Sequence, residues 1–122
     1  MSSEYKLNDC PTDGISAVKF SPTGSQFLLT SSWDSTLCLY DVTANNQRFR
    51  FDENSPVLDC CFSDSVHGWS GSLDGTLSTY DFNVEKQCKF GEHSEGVRCV
   101  EYCSDLGLVV TGSWDRTLKV RS

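Results

Sequence analysis

The sequence holds no C-x-x-C pair, no N-x-S/T acceptor and no apolar run near the length of a membrane span. Each absence removes a class. Structural zinc sites draw closely spaced thiolates and imidazoles from the chain, and no such set is present. The nearest approach to ligand spacing is Cys99 with Cys103. The seven cysteines, an odd number, are scattered at Cys10, Cys38, Cys60, Cys61, Cys88, Cys99 and Cys103. This pattern predicts reduced thiols, several acting as small core residues, with no disulfide and no metal. The first twenty residues are polar and mixed, unlike a secretory signal, so a cytosolic or nuclear protein without membrane association is expected. Bases are few: ten Lys and Arg stand against seventeen Asp and Glu, a formal charge of −7. A protein of that balance is a poor match for a phosphate backbone, so no nucleic-acid partner is expected. No glycine-rich phosphate loop and no G-x-S-x-G elbow occurs, which leaves no motif for a nucleotide cofactor or a serine hydrolase.

What the sequence does have is self-similarity. Residues 15–20 read ISAVKF, 57–62 read VLDCCF and 97–102 read VRCVEY. Downstream of each lies a second matching string: 31–37 (SSWDSTL), 71–77 (GSLDGTL) and 112–118 (GSWDRTL). The aspartates Asp34, Asp74 and Asp115 are 40 and 41 residues apart, and Tyr40-Asp41 and Tyr80-Asp81 each follow six residues past the aspartate. A period near 40 with this grammar is that of a WD repeat, with Tyr replacing Trp in the closing dipeptide.

The strings read as strands. Ile15–Phe20 is a short apolar strand ended by the Ser21-Pro22-Thr23-Gly24 turn. A second strand is expected over 26–31. The third alternates, with Leu37 and Leu39 on one face and Cys38 and Tyr40 on the other. A polar outer strand at 46–51 completes the blade. No segment carries a helical period. The expected fold is therefore all-β, with WD-repeat β-propeller blades over about 13–42, 55–82 and 95–122. Spacing places Arg121 where an aromatic residue is expected and Ser122 where Asp is, so the third repeat should stop inside its third strand. Closed propellers take four to eight blades. An incomplete, open three-blade propeller is expected, with raw ends that could self-associate. In a complete ring, the segment around Tyr5-Lys6-Leu7 would join the last blade as a strand.

In a WD blade the S-x-D aspartate sits between the second and third strands and accepts a hydrogen bond from a preceding histidine. Repeat three supplies His93, Ser113 and Asp115 for this brace. Repeats one and two offer Asp34 and Asp74 but carry Pro11 and Glu53 near the histidine position, so their networks should be incomplete. With no nucleophile elbow, bracing is preferred over a hydrolytic triad for these residues. His67 reads as a solvated turn residue on the opposite rim.

Jointly the strings are more specific than a generic repeat. They include Asp13-Gly14-Ile15-Ser16-Ala17-Val18-Lys19-Phe20-Ser21-Pro22, Leu39-Tyr40-Asp41-Val42, Trp69-Ser70-Gly71, Arg98-Cys99-Val100-Glu101-Tyr102-Cys103 and Val110-Thr111-Gly112-Ser113-Trp114-Asp115. From about residue 4 to residue 119 the chain resembles the Bub-three type of mitotic-checkpoint WD-repeat protein. Messenger-RNA export factors of the Rae/Gle type are the next nearest in kind and fit less well around Leu39-Tyr40-Asp41-Val42. The resemblance implies a non-catalytic, cofactor-free scaffold of the spindle assembly checkpoint, placed in the nucleus and at the kinetochore, with the cytoplasm as the alternative. It implies binding to the GLEBS segment of checkpoint kinases and kinase-like proteins, and indirect association with a kinetochore scaffold. The x of each S-x-D turn, here Trp33, Leu73 and Trp114, would lie on the peptide-binding top rim. The basic residues that read phosphate in this family belong to later blades, outside this sequence. A product with little autonomous function is the competing reading.

Overall fold

A computed structural model describes residues 3–122, and among these every regular element is a β-strand. The strands are β1 (Ile15–Phe20), β2 (Phe27–Ser32), β3 (Thr36–Asp41), β4 (Asn46–Asp52), β5 (Val57–Phe62), β6 (His67–Ser72), β7 (Thr76–Asp81), β8 (Lys86–Glu92), β9 (Val97–Cys103), β10 (Leu108–Ser113) and β11 (Leu118–Arg121). They form two four-stranded sheets, β1-β2-β3-β4 and β5-β6-β7-β8, and one three-stranded sheet, β9-β10-β11. All pairings are antiparallel between neighbours in sequence, so each blade is a meander.

Local chemistry dictates the turns. Asp41 Oδ1 accepts from the Ala44 amide at 2.9 Å and Asp81 Oδ1 from the Asn83 amide at 2.9 Å, which tightens the third-to-fourth strand turn in both complete blades. The S-x-D turns repeat one backbone conformation: Ser35, Gly75 and Arg116 all have positive φ, at 74°, 90° and 71°. Only Gly75 adopts it without steric cost. Its missing side chain serves a second purpose, because a Cβ there would lie 2.2 Å from the His93 carbonyl oxygen.

The three blades stack in order as an open arc. β5 packs on β1, β2 and β3, and β9 packs on β5 and β6. Between blades one and two lies the larger core, in which Leu29, Leu37, Leu39 and Phe51 meet Val57, Cys60, Phe62, Tyr80 and Phe82. A smaller cluster of Cys61, Leu77, Val100 and Val109, flanked by Trp69 and Tyr102, joins blades two and three. Hydrogen bonds also cross between blades. Ser16 Oγ donates to the Val57 carbonyl at 2.6 Å and Lys19 Nζ to the Cys60 carbonyl at 3.3 Å. The buried Asp59 touches both neighbours: it pairs with Lys19 at 3.6 Å and accepts from the Val100 amide at 3.0 Å.

Two local expectations are corrected, at Gln26 and at His67, while the segment around Tyr5 is expected to be a strand only in a complete ring. Strand β2 begins at Phe27, not residue 26, because Gln26 turns its amide onto Asp41 Oδ2 at 3.0 Å. The segment around Tyr5-Lys6-Leu7 forms no strand. It lies along blade one, with the Tyr5 hydroxyl on the Val42 carbonyl, Asn8 bonded to Asn45 and the Tyr40 hydroxyl on the Asp9 carbonyl. Finally, His67 is the first residue of β6 and is held by carboxylates, Asp64 at 2.9 Å and Asp81 at 3.5 Å.

Candidate functional site

The three S-x-D turns show which aspartates are braced and by what. In blade three, His93 is buried and its Nδ1 lies 3.1 Å from Asp115 Oδ2 and 2.9 Å from Thr117 Oγ1. A carboxylate can only accept, so Nδ1 carries the proton, and in the neutral ring Nε2 accepts from Thr111 Oγ1 at 2.7 Å. The hydroxyls that meet His93 are therefore those of Thr111 and Thr117, and Ser113 is not among them. Ser113 Oγ accepts from the Asp115 amide at 3.0 Å and donates to the Glu95 carbonyl at 3.2 Å, closing the turn itself. Asp115 also accepts from Thr117 and Ser94, and the Thr117 bonds lead in holding its carboxyl far below the ordinary value.

Blade one reaches a similar result without histidine. Asp34 accepts from the Thr36 amide at 2.9 Å, the Thr36 hydroxyl at 2.6 Å and the Thr12 amide at 2.9 Å. Partial burial pushes this carboxyl up, but the bonds from Thr36, Thr12 and Ser32 outweigh it and leave the group below its usual range. What Pro11 costs is felt elsewhere: Thr30 Oγ1, the counterpart of Thr111, is buried with no partner.

Blade two is rewired. Glu53 occupies the histidine position and accepts from the Tyr80 hydroxyl, which also lies 2.7 Å from Ser70 Oγ. Burial raises the Glu53 carboxyl, the Tyr80 bond opposes that, and the charge of Asp74 adds to it. Asp74 accepts from the Thr76 amide at 3.0 Å, and its own amide goes to Ser55 Oγ at 3.0 Å. His93 meets no serine: its hydroxyl partners are Thr111, which is fully buried, and Thr117, which lies on the Nδ1 side of the ring with Asp115.

The rim formed by these turns carries three partly exposed apolar side chains. Trp33, Leu73 and Trp114 are 44%, 37% and 49% exposed, so each is half seated and half free. The seats are small residues ahead of the inner strands. The Trp33 amide donates to the Gly14 carbonyl at 2.9 Å and the Trp114 amide to the Gly96 carbonyl at 3.0 Å. The Trp114 ring lies so close over Gly96 that a Cβ there would meet it at 2.8 Å. Trp33 and Trp114, from blades one and three, line one cleft of about 240 Å3 together with Ser16, Leu58 and Arg98. Leu73 stays outside this lining.

Sequence reasoning missed Arg98. Ser16, Leu58 and Arg98 are each the second residue of an inner strand, so the blade stacking gathers them at one end of the arc. Arg98 forms no ion pair among the described residues. The signal available in the sequence was its register position, a cation where the other two repeats carry Ser and Leu. The cleft thus offers two indole faces and one guanidinium, which suits an extended peptide with apolar groups and a carboxylate.

The model of the family "WD domain, G-beta repeat" matches residues 2–41 and 84–122. The chain belongs to this WD-repeat family. The middle WD repeat, outside the matched stretches, folds as the same kind of blade as the other two. Among curated WD-repeat relatives, the chain is 45% identical over 118 residues to the mitotic checkpoint protein BUB3.1 of Arabidopsis thaliana, covering 97% of this chain and 34% of that protein. It is 40% identical over 119 residues to the mitotic checkpoint protein bub3 of Dictyostelium discoideum, covering 98% and 36%. It is 35% identical over 126 residues to a poly(A)+ RNA export protein of Schizosaccharomyces pombe, covering 98% and 36%. The chain spans about a third of the length of these relatives.

Proposed function

We propose that this WD-repeat chain is a non-catalytic protein-interaction scaffold of the spindle assembly checkpoint. In this reading its rim binds the GLEBS segment of checkpoint kinases or kinase-like proteins and helps to recruit them to the kinetochore in the nucleus. Two exposed tryptophans from different blades, converging on one cleft beside an unpaired arginine, carry the proposal. Exposed aromatic groups in a rigid concave setting are what peptide anchors require. The similarity to checkpoint relatives supports the choice of peptide. Calorimetric titration of a GLEBS peptide against the parent, Trp33→Ala and Trp114→Ala is the test. Each truncation should cost about 2 kcal/mol or more, roughly a thirtyfold loss of affinity. Asp64→Ala, in the β5–β6 turn on the opposite rim, should leave affinity unchanged. Melting temperatures of all variants separate lost anchoring from lost packing. Unchanged affinity in both tryptophan variants would remove the rim from the binding site. Undetectable binding by the parent, beside clear binding by a full-length relative, would favour a product with little autonomous function.

The second reading, messenger-RNA export, has a specific observation behind it in the 35% identity to a poly(A)+ RNA export protein. Both readings use a non-catalytic scaffold. Association with checkpoint kinases as against messenger-RNA export factors in a pull-down separates them.

A further inference from the structure

We propose that a cavity in blade two is a binding site for a guanidinium group, the head of an arginine side chain on a partner peptide. The cavity has a volume of about 310 Å3, and Glu53, Ser72, Asp74 and Lys89 are part of its lining. All its residues lie between Glu53 and Lys89, so the site belongs to the middle blade, which packs against blade one on one side and blade three on the other. It shares no residue with the cleft of Trp33 and Trp114.

The brace of the other two blades is undone here. In blade three Asp115 Oδ2 receives His93 and Ser94, and in blade one Asp34 Oδ2 receives the Thr12 amide. Asp74 accepts from the Thr76 amide through Oδ1, and its Oδ2 has no donor among the described residues. The serine at the head of each turn shows the same break. Ser32 and Ser113 accept from the Asp34 and Asp115 amides and donate to the Gly14 and Glu95 carbonyls. The Asp74 amide turns to Ser55 instead, and Ser72, 1% exposed, is left on the cavity wall with no partner for its hydroxyl. Glu53, in the histidine position, adds a second carboxylate whose protonation the charge of Asp74 already favours. Neither carboxylate has an ion pair among the described residues, and the Lys89 ammonium is held by Glu92 at 3.1 Å. Two carboxylates and a buried hydroxyl thus face one space with acceptor capacity unmet, and a buried polar group without a partner is destabilising. A guanidinium suits this set: it is planar, permanently charged and carries five N–H donors in a fixed fork, where an ammonium is a compact point charge. Among the described residues no three His, Cys, Asp or Glu side chains are grouped to hold a metal ion. The net charge of −7 also draws a cationic partner towards the chain.

The test is a titration of the folded chain with acetyl-argininamide, followed by backbone amide shifts in NMR spectra. Acetyl-lysinamide, acetyl-citrullinamide (an uncharged copy of the arginine compound) and magnesium chloride are run beside it. Saturable shifts should gather at Ser72, Asp74 and Thr76 with the arginine compound, be weaker with lysine and be absent with citrulline and magnesium. Glu53→Gln and Asp74→Asn should each weaken arginine binding about tenfold, the loss of one hydrogen bond to a charged group. Ser72→Ala should weaken it too while the melting temperature holds or rises, because an unpartnered buried hydroxyl is removed. Asp64→Asn, on the opposite rim, should leave affinity unchanged. Melting temperatures check that each variant is folded, and Glu53→His, which puts an imidazole where the cavity now opens, replaces any that is not and should abolish binding. Absence of arginine shifts at these amides, equal binding of the citrulline or lysine compound, equal shifts from magnesium, or unchanged affinity in the carboxylate variants would each overturn the proposal.

Discussion

Leu37, Leu77 and Leu118 hold one repeat position, and the structure assigns them unequal weight. The first two are fully buried at successive blade interfaces, and the third is 77% exposed. Truncating a buried leucine to alanine removes its transfer energy and leaves a cavity, at a cost of about 2–5 kcal/mol. Leu37 lies in the larger cluster, with Phe51 and Tyr80 nearby at ring centroids 4.9 Å apart, where rigid aromatic rings resist collapse into the void. A loss of about 3 kcal/mol is the working figure there. With an unfolding entropy of about 2.1 cal/mol/K per residue, the whole chain has about 0.26 kcal/mol/K, so the melting temperature should fall by about 12 °C. Leu77→Ala should fall in the same range. Leu118→Ala should stay within about 0.5 kcal/mol, or roughly 2 °C, in dilute solution. The assay is thermal and urea unfolding followed by circular dichroism at low concentration. Equal losses at Leu37 and Leu118 would refute the stacking order of the blades, since they would require β11 to be covered like β3.

Glu53→Gln should stabilise blade two at neutral pH. A carboxyl raised above its ordinary 4.5 binds more protons folded than unfolded, so parent stability falls as pH rises through that window. The gain should therefore disappear on acidification below 4.5, checked by melting temperature against pH. Asp115 behaves oppositely. Its depressed carboxyl contributes stability that is present above the ordinary 3.8 and lost as pH falls through the folded value, so Asp115→Asn should lose its disadvantage in acid. Hydrogen exchange should lose more protection in blade three for Asp115→Ala than in blade one for Asp34→Ala, because only Asp115 also holds a buried histidine ring. Burial pushes the thiols of Cys60 and Cys61 up to about 12, so native protein should expose Cys10, Cys88 and Cys99 to a thiol reagent and protect these two until unfolding.

The blades were legible because each repeats short signals that physics reads locally. Alternation at Leu37, Cys38, Leu39 and Tyr40, and turn chemistry at Asp41 and Ser21, need no tertiary information. The long-range choices were less visible. Thr111 and Ser113 are two residues apart on β10 and chemically similar, and only the pairing geometry decides which one reaches His93. Arg98 became a rim residue only when three strands converged. The path of the segment near Tyr5 is set by hydrogen bonds to Val42 and Asn45 that span 37 residues, which no local pattern shows.

Ser16 to Val57, Lys19 to Cys60 and Asp59 to Val100 are each separated by 41 residues, one repeat. Folding during synthesis therefore runs with a fixed lag. The first meander can form its own ladder as soon as it emerges, but Leu29 and Leu37 lack Val57, Cys60 and Phe62 to pack against until β5 has left the ribosome. At about 5–20 residues per second, the ten residues from Asp52 to Phe62 take roughly 0.5–2 s. During that time the newest sheet presents an apolar face to the cell. Slow codons or a chaperone would act most strongly at these intervals, and a pause placed just after β4 would prolong the exposure of the face that forms the larger core.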